Sequence, residues 1–333
     1  MIKRVGNKIK RLNREFSLGF NPKIIEQIRL NKNFILMYHG VDLKGCTTFN
    51  TRHTSLKCFE RQIAFLKKHT NIISTEDFFQ GKFSSEISNV AITFDDGYKN
   101  NFKYALPILE RYQAFASFFI TGLNTLPERI LWADFIDIAA TLFEGEQIEI
   151  DGILYKKINN KFLHASGKSL NHVIKTEKAD YGFKQAVYNS FGNDLIQKII
   201  NEETLKDYWE LMSDQEINQT GKSKWVKIGS HGYLHNNLGV IELGNARREL
   251  ADSKSYLENL VQYEINSVAY PDGSYSRNLI DAADDLGYKY QYSAGKYLFE
   301  KDKNDNRILN KAGVYTCDSC YNQLFYALNG YEL

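Results

Sequence analysis

Two aspartates stand side by side where an apolar run ends, in Val90-Ala-Ile-Thr-Phe-Asp-Asp-Gly97. One Asp or Asn before a glycine is enough to make a turn. Two adjacent carboxylates repel, so one carboxyl pKa must rise unless a cation lies close by. A second pattern supplies ligands for such a cation. His231 and His235 are four residues apart in His-Gly-Tyr-Leu-His, and on one helical turn both rings would face the same way and share a metal. Taken singly, a turn and a hydrogen-bonded structural histidine are the plainer readings. Together they make a different chemistry available. Two imidazoles and one carboxylate leave a fourth metal position open to water, the usual form of a catalytic zinc site. The metal's charge then tolerates a second carboxylate beside the first, and that carboxylate is free to act as the base toward the water.

These residues meet only if the chain brings them to one rim. Short apolar runs at Phe34–Tyr38, Val90–Phe94, Ala116–Thr121, Val226–Ser230, Ser267–Tyr270, Tyr290–Ser293 and Ala312–Thr316 read as strands. Between them lie helix-period stripes, for example Leu56, Phe59, Ile63 and Leu66, or Leu279, Ile280, Ala283 and Leu286. Ser74 and Ser276 are placed as N-caps. Alternating strands and helices predict parallel strands with crossover helices, and about seven units predict a barrel. The C-terminal strand ends then converge, and they carry His39, Asp95-Asp96, His231 with His235, and Tyr270-Pro-Asp-Gly273. The rhythm breaks between residues 126 and 224, where Gln147–Tyr155 reads as a hairpin about an Asp-Gly turn. This stretch is predicted to be an insertion over one end of the barrel.

The 333 residues are 43% hydrophobic and 25% charged, which suits a globular chain with a sizeable core. The first fourteen residues hold six Lys or Arg and no acid, leaving 36 basic against 40 acidic residues elsewhere. The body therefore has no polyanion-binding bias, and nucleic acid is not an expected partner. Residues 1–20 form an expected basic amphipathic helix, with the remainder, 21–333, as the catalytic body. Residues 1–18 could rest on an anionic membrane surface. Lys and Arg interrupt this segment too often for a secretory signal. With four cysteines fitting a reducing compartment, the expectation is a cytoplasmic protein at the inner face of the membrane. Cys317-Asp-Ser-Cys320 is read as an incidental CxxC, because no second pair of ligands accompanies it.

The combined pattern resembles the NodB-like polysaccharide deacetylase family. Thr93-Phe-Asp-Asp-Gly97 is similar to its first motif, His231-Gly-Tyr-Leu-His235 to its second, and Tyr270-Pro271-Asp-Gly273 partly to its third. Leu36-Met-Tyr-His-Gly40 and Ala116-Ser-Phe-Phe119 look like the exopolysaccharide deacetylase branch. The resemblance covers roughly residues 34–125 and 226–316. It implies a distorted (β/α)7 barrel, here carrying an α+β insertion, and a divalent metal, most often Zn2+, with Co2+, Ni2+ or Fe2+ also suited to the ligand set. It also implies Asp95 as general base, Asp96, His231 and His235 as ligands, and the backbone after Pro271 as an oxyanion donor. The implied reaction removes an N-acetyl or other acyl group from an amino sugar, in a poly- or oligosaccharide or its lipid-linked precursor.

The chain departs from the family pattern in three places, one of them Asp272, which follows Pro271 where relatives commonly carry an aromatic. No histidine follows His235, so the late general acid is missing, and Asp95 or His39 is left to protonate the leaving amine. Ala269 stands where relatives place an arginine beside the base, and Arg307 is the candidate substitute. From the insertion, Trp132 could stack on a sugar face, with Asp134 close behind it. His53, His69, His164 and His172 are read as surface or structural. A catalytically silent carbohydrate-binding relative and a deformylase of a lipid-linked aminosugar are the alternatives. A phosphatase of the DxD type is disfavoured because the aspartates are adjacent rather than two apart.

Overall fold

The computed structural model describes residues 33–329, except 46, 48–49, 179, 295–301, 303 and 315–319. The expected amphipathic helix at residues 1–20 lies outside the described residues. Seven parallel strands close into a barrel: β1 Asn33–Tyr38, β2 Asn89–Phe94, β3 Ala116–Ile120, β4 Val226–Ser230, β5 Ser267–Ala269, β6 Tyr290–Ala294 and β7 Ile308–Gly313. Each pairs with the next, and β1 pairs with both β2 and β7, which closes the ring. A two-residue strand, Asn71–Ile72, adds to the start of β2.

The two faces of these strands follow from a side-chain period of two. Phe94, Ile92 and Val90 of β2 point outward, and with Phe118, Val226, Ile228 and Val268 they pack against the helices. Residues of opposite parity, Ile35, Ala91, Phe119, Ala269 and Tyr292, form a separate cluster that fills the barrel. The inward parity has a consequence at the top of the barrel. His39, Asp95, His231 and Lys311 continue the inward series of their strands, so they arrive at its mouth.

The outer helices include α1 Leu56–His69 and α2 Leu106–Tyr112. Ser55 caps α1, and Ser74 caps the short helix after it. Residues between β3 and β4 build a hydrophobic cluster of their own. It is made by α3 Trp132–Leu142, α4 Leu170–Thr176, α5 Tyr181–Ser190 and a three-stranded antiparallel sheet. In that sheet Gln147–Ile150 and Ile153–Ile158 turn at Asp151-Gly152, and Lys161–His164 adds a third strand. Both turn residues have positive φ, 50° and 77°, as the favoured hairpin turn requires. After β4 come α6 Leu243–Val261 and α7 Arg277–Asp285, the latter capped by Ser276. The last described helix is α8 Cys320–Asn329.

Two expectations need correction. The seventh strand begins at Ile308, four residues before the expected Ala312, and ends at Gly313. Asn310 and Lys311 break its apolar run, which is why pattern alone starts it late. Cys58 and Cys320 are not free thiols but a disulfide joining α1 to α8, with Cα atoms 5.1 Å apart. Cys46 and Cys317 lie outside the described residues.

Phe94 is 1% exposed and touches the rings of Tyr38, Phe59 and Phe118. Phe94→Ala should cost about 3–5 kcal/mol in denaturant unfolding, the usual range for such a truncation. A loss under ~1 kcal/mol would contradict this packing.

Candidate active site

The turn after β2 sets the site. Asp96 and Gly97 both adopt left-handed backbone, with φ of 77° and 86°, an uncommon conformation for an aspartate. It sends the two adjacent carboxylates to different partners. Asp95 meets the ammonium of Lys311 from β7, whose Nζ lies 2.5 and 2.7 Å from its two oxygens. Both residues are buried. Asp96 meets two imidazoles, its Oδ1 lying 3.4 Å from Nε2 of His231 and 3.1 Å from Nε2 of His235. Burial alone would push the Asp96 carboxyl up, but these hydrogen bonds outweigh it and hold the group well below its ordinary pKa. Burial also lowers the pKa of Lys311, with Asp95 opposing that shift.

His231 follows β4, and its N–H donates to the Ile120 carbonyl, extending the β3–β4 ladder. Its Nδ1 lies 2.7 Å from the carbonyl oxygen of Ala269. A carbonyl only accepts, so Nδ1 carries a proton; Nε2, which faces Asp96 and donates to it when protonated, is the ligand atom once that second proton is lost to a metal. His235 does not sit on a helical turn with His231, as the four-residue spacing suggested. The segment is a loop, and His235 has a φ of 51°. Its Nδ1 is buried with no hydrogen-bond partner among the described residues. Ligand atoms of Asp96, His231 and His235 all lie within 4.8 Å of one another. One carboxylate and two imidazoles at this spacing fit a divalent metal with an open position.

The site opens into a cavity of about 410 Å³. His39, Asp95, Trp132, Asp272 and Gly273 line it, as do two residues the sequence reading did not single out, Arg52 and Lys175. Burial lowers the pKa of His39 to about 4 against the pull of Asp96 and Asp95. It is therefore neutral near pH 7 and a poor proton donor. Trp132 lines the cavity at the start of α3 but is only 2% exposed. Asp134 does not line the cavity. It is buried beneath it, accepting hydrogen bonds from Tyr98, Asn50 and Arg52, and so it anchors the Arg52 guanidinium on the cavity wall. Burial raises the Asp134 pKa to about 7, with Arg52 pulling the other way. Lys175 of α4 pairs with Asp272 at 2.6 Å.

Two assignments change. The Tyr270 side chain is buried away from the cavity, its hydroxyl bonded to Gln291. Arg307 pairs with Asp305, Asp281 and Asp284 on the outside, so it does not reach Asp95. Lys311, one inward-facing position along β7, does. The only signal for it was a lysine between Ile308-Leu309 and Ala312-Gly313 in this strand, and the late strand start hid it. His53 is fully buried, held between Asp42 and Asn50.

Lys311→Met should leave Asp95 buried and unpaired, at a cost of about 3–5 kcal/mol. Arg307→Ala should cost at most ~1 kcal/mol, as surface pairs do. Equal losses in chemical denaturation would contradict this division of roles. A second check is His39, whose ring in the metal-free protein should stay neutral as pH falls from 8 to 5.5. An NMR titration midpoint near the ordinary value of 6.5 would contradict its burial.

The polysaccharide deacetylase family model matches residues 84–144 and 181–291, just over half of the chain. YxkH of Bacillus subtilis (strain 168), whose name places it among the polysaccharide deacetylases, is 23% identical over 264 residues. That match spans 77% of this chain and 62% of YxkH. Among solved structures, the Streptococcus pyogenes deacetylase PplD, in complex with acetate, superposes with a TM-score of 0.51 at 18% identity, covering 88% of this chain and 97% of PplD. IcaB from Ammonifex degensii gives 0.54 at 13% identity, covering 90% and 98%. At these identities the structures establish the shared barrel fold.

Proposed function

Since this chain belongs to the polysaccharide deacetylase family, we propose that it is a hydrolase that cleaves the amide of an N-acylated amino sugar. The observation that carries the reading is the division of labour at the turn after β2. One aspartate lies among two imidazoles and its neighbour faces a buried lysine. Asp96, His231 and His235 would hold the metal, and a divalent ion there supplies Lewis acidity toward water and the amide carbonyl. Zinc suits the ligand set best, and cobalt, nickel or iron fit it too.

Asp95 takes the proton of the attacking water as general base. Lys311 fixes the orientation of that carboxylate and balances its charge. With no later histidine and with His39 neutral, Asp95 returns the same proton to the amine nitrogen as the C–N bond breaks. The products are a carboxylic acid and a free amino sugar, so atoms balance with water as the only co-reactant. Asp272 and Gly273 line the cavity where the oxyanion forms; the Gly273 N–H is bonded to the Tyr270 carbonyl, so the Asp272 N–H, directly after Pro271, is the proposed donor to it. Trp132 and Arg52 shape the wall that receives the sugar.

The substrate we favour is an oligosaccharide or its lipid-linked precursor. A formyl in place of an acetyl group would make the same chemistry a deformylation. A lipid-linked substrate would suit residues 1–18 as a membrane contact, tested by loss of anionic-vesicle binding on their deletion. The cytoplasmic location also remains a proposal. It has to accommodate the Cys58–Cys320 disulfide, which a reducing compartment disfavours.

Acid release from N-acetylhexosamine oligosaccharides tests the reading. Asp95→Asn should lower kcat by at least about 10²-fold, as loss of a general base does, with metal content unchanged. Turnover by Asp95→Asn equal to wild type on the same substrate would remove Asp95 as the base. Binding of oligosaccharide without any turnover would favour the silent-binder alternative.

A further inference from the structure

The inserted residues contribute more than a wall to the cavity. Lys184 lies on α5, whose Phe183, Val187 and Tyr188 enter the separate hydrophobic cluster between β3 and β4. Lys184 is itself 2% exposed. A buried ammonium is costly unless it is well paired, and an apolar residue would serve that cluster better. Its partners explain it. Nζ donates to the carbonyl oxygen of His235 at 2.6 Å and to Oδ1 of Asn236 at 3.0 Å.

The same loop is gripped from the other side by Glu249 of α6. Its carboxylate accepts from the backbone N–H of Leu234 and Asn236, at 3.0 and 3.2 Å, and from Nδ2 of Asn236 at 2.8 Å. A Cβ added at Gly232 would lie 2.8 Å from Oε1 of Glu249, so the loop closes directly onto this carboxylate. Between these clamps His235 is held at a φ of 51°, a conformation unfavourable for a non-glycine residue that persists only when its surroundings impose it. In that conformation its Nε2 faces Asp96. Lys184 opposes Glu249 in charge across the loop, which is what makes both buried charges tolerable.

We propose that Lys184 is a positioning residue for the metal site, through which the helices between β3 and β4 hold His235 in its ligating conformation. The inference rests on Asp96, His231 and His235 being the metal ligands. It assigns the insertion a role in metal retention. By reciprocity, metal loading must then stabilise α5 as much as α5 stabilises the loaded site.

Zinc affinity, measured by competition with a chromogenic chelator, tests this without any substrate. Lys184→Met should weaken zinc binding about 10–100-fold, the usual cost of removing an outer partner of a ligand. Val187→Ala, which disturbs the same cluster without reaching His235, should stay within about 2-fold of wild type. Affinity unchanged in Lys184→Met, or equally weakened in Val187→Ala, would overturn the proposal. Should Lys184→Met fail to fold, hydrogen exchange on wild type decides. Zinc should protect the amides of Tyr181–Ser190, and protection confined to residues 231–236 would overturn it. A wild type that takes up no zinc would bring down the metal-site reading, and this inference with it. Zinc uptake by wild type with no effect of Lys184 would bring down this inference alone.

Discussion

Two carboxylates on consecutive residues in a buried barrel mouth need two separate sources of positive charge or hydrogen bonding. The rest of the site follows from that constraint. Lys311 meets Asp95 through both oxygens, while His231 and His235 converge on Asp96. The left-handed turn at Asp96 and Gly97 makes the split sterically available. Without the lysine, Asp95 would compete with Asp96 for whatever cation the imidazoles hold. With it, Asp96 alone faces the two imidazoles and Asp95 keeps a partner of its own, the division on which the proposed roles rest. The pairing also spans the barrel closure, since it links β2 to β7, and β1 alone lies between those strands.

The barrel and the helices between β3 and β4 divide the remaining work. Strand parity delivers His39, Asp95, His231 and Lys311 to one mouth. The segment between β3 and β4 lines part of it, has a hydrophobic cluster of its own and reaches the strand-end loops through three polar side chains. Asp134 holds Arg52 against the cavity wall, Lys175 pairs with Asp272, and Lys184 grips the His235 carbonyl. Each contact ties a loop at a strand end to an element that the barrel alone does not contain. The buried charges are tolerated because Asp95 is paired with Lys311, while Lys184 and Glu249 are hydrogen-bonded to the loop between them.

Much of this was legible in the sequence for physical reasons. Apolar runs between helical stripes placed six of the seven strands to within a residue or so, and the Asp-Asp and His-x-x-x-His patterns pointed to three side chains that do cluster, Asp96, His231 and His235. What escaped was whatever depended on a side chain's partner. Lys311 was missed because a buried lysine interrupts the apolar pattern that marks a strand, and the functional partner was sought at Arg307, two strand pleats away. The helical reading of His231–His235 failed because spacing fixes a distance along the chain but not the backbone path, and a left-handed His235 reaches the same convergence from a loop. His53 and Asp134 looked like isolated polar residues, and only the fold brings Asp42, Asn50, Tyr98 and Arg52 to them. The Cys58–Cys320 disulfide joins residues 262 apart in sequence, a pairing no local pattern encodes.

If the two aspartates serve different cations, anomalous diffraction from crystals equilibrated with zinc should show it. One strong peak is expected within bonding distance of Asp96, His231 and His235, with the Asp95 carboxylate still on Lys311. A zinc bridged by both aspartates, with Lys311 displaced, or a peak away from the two histidines, would contradict it.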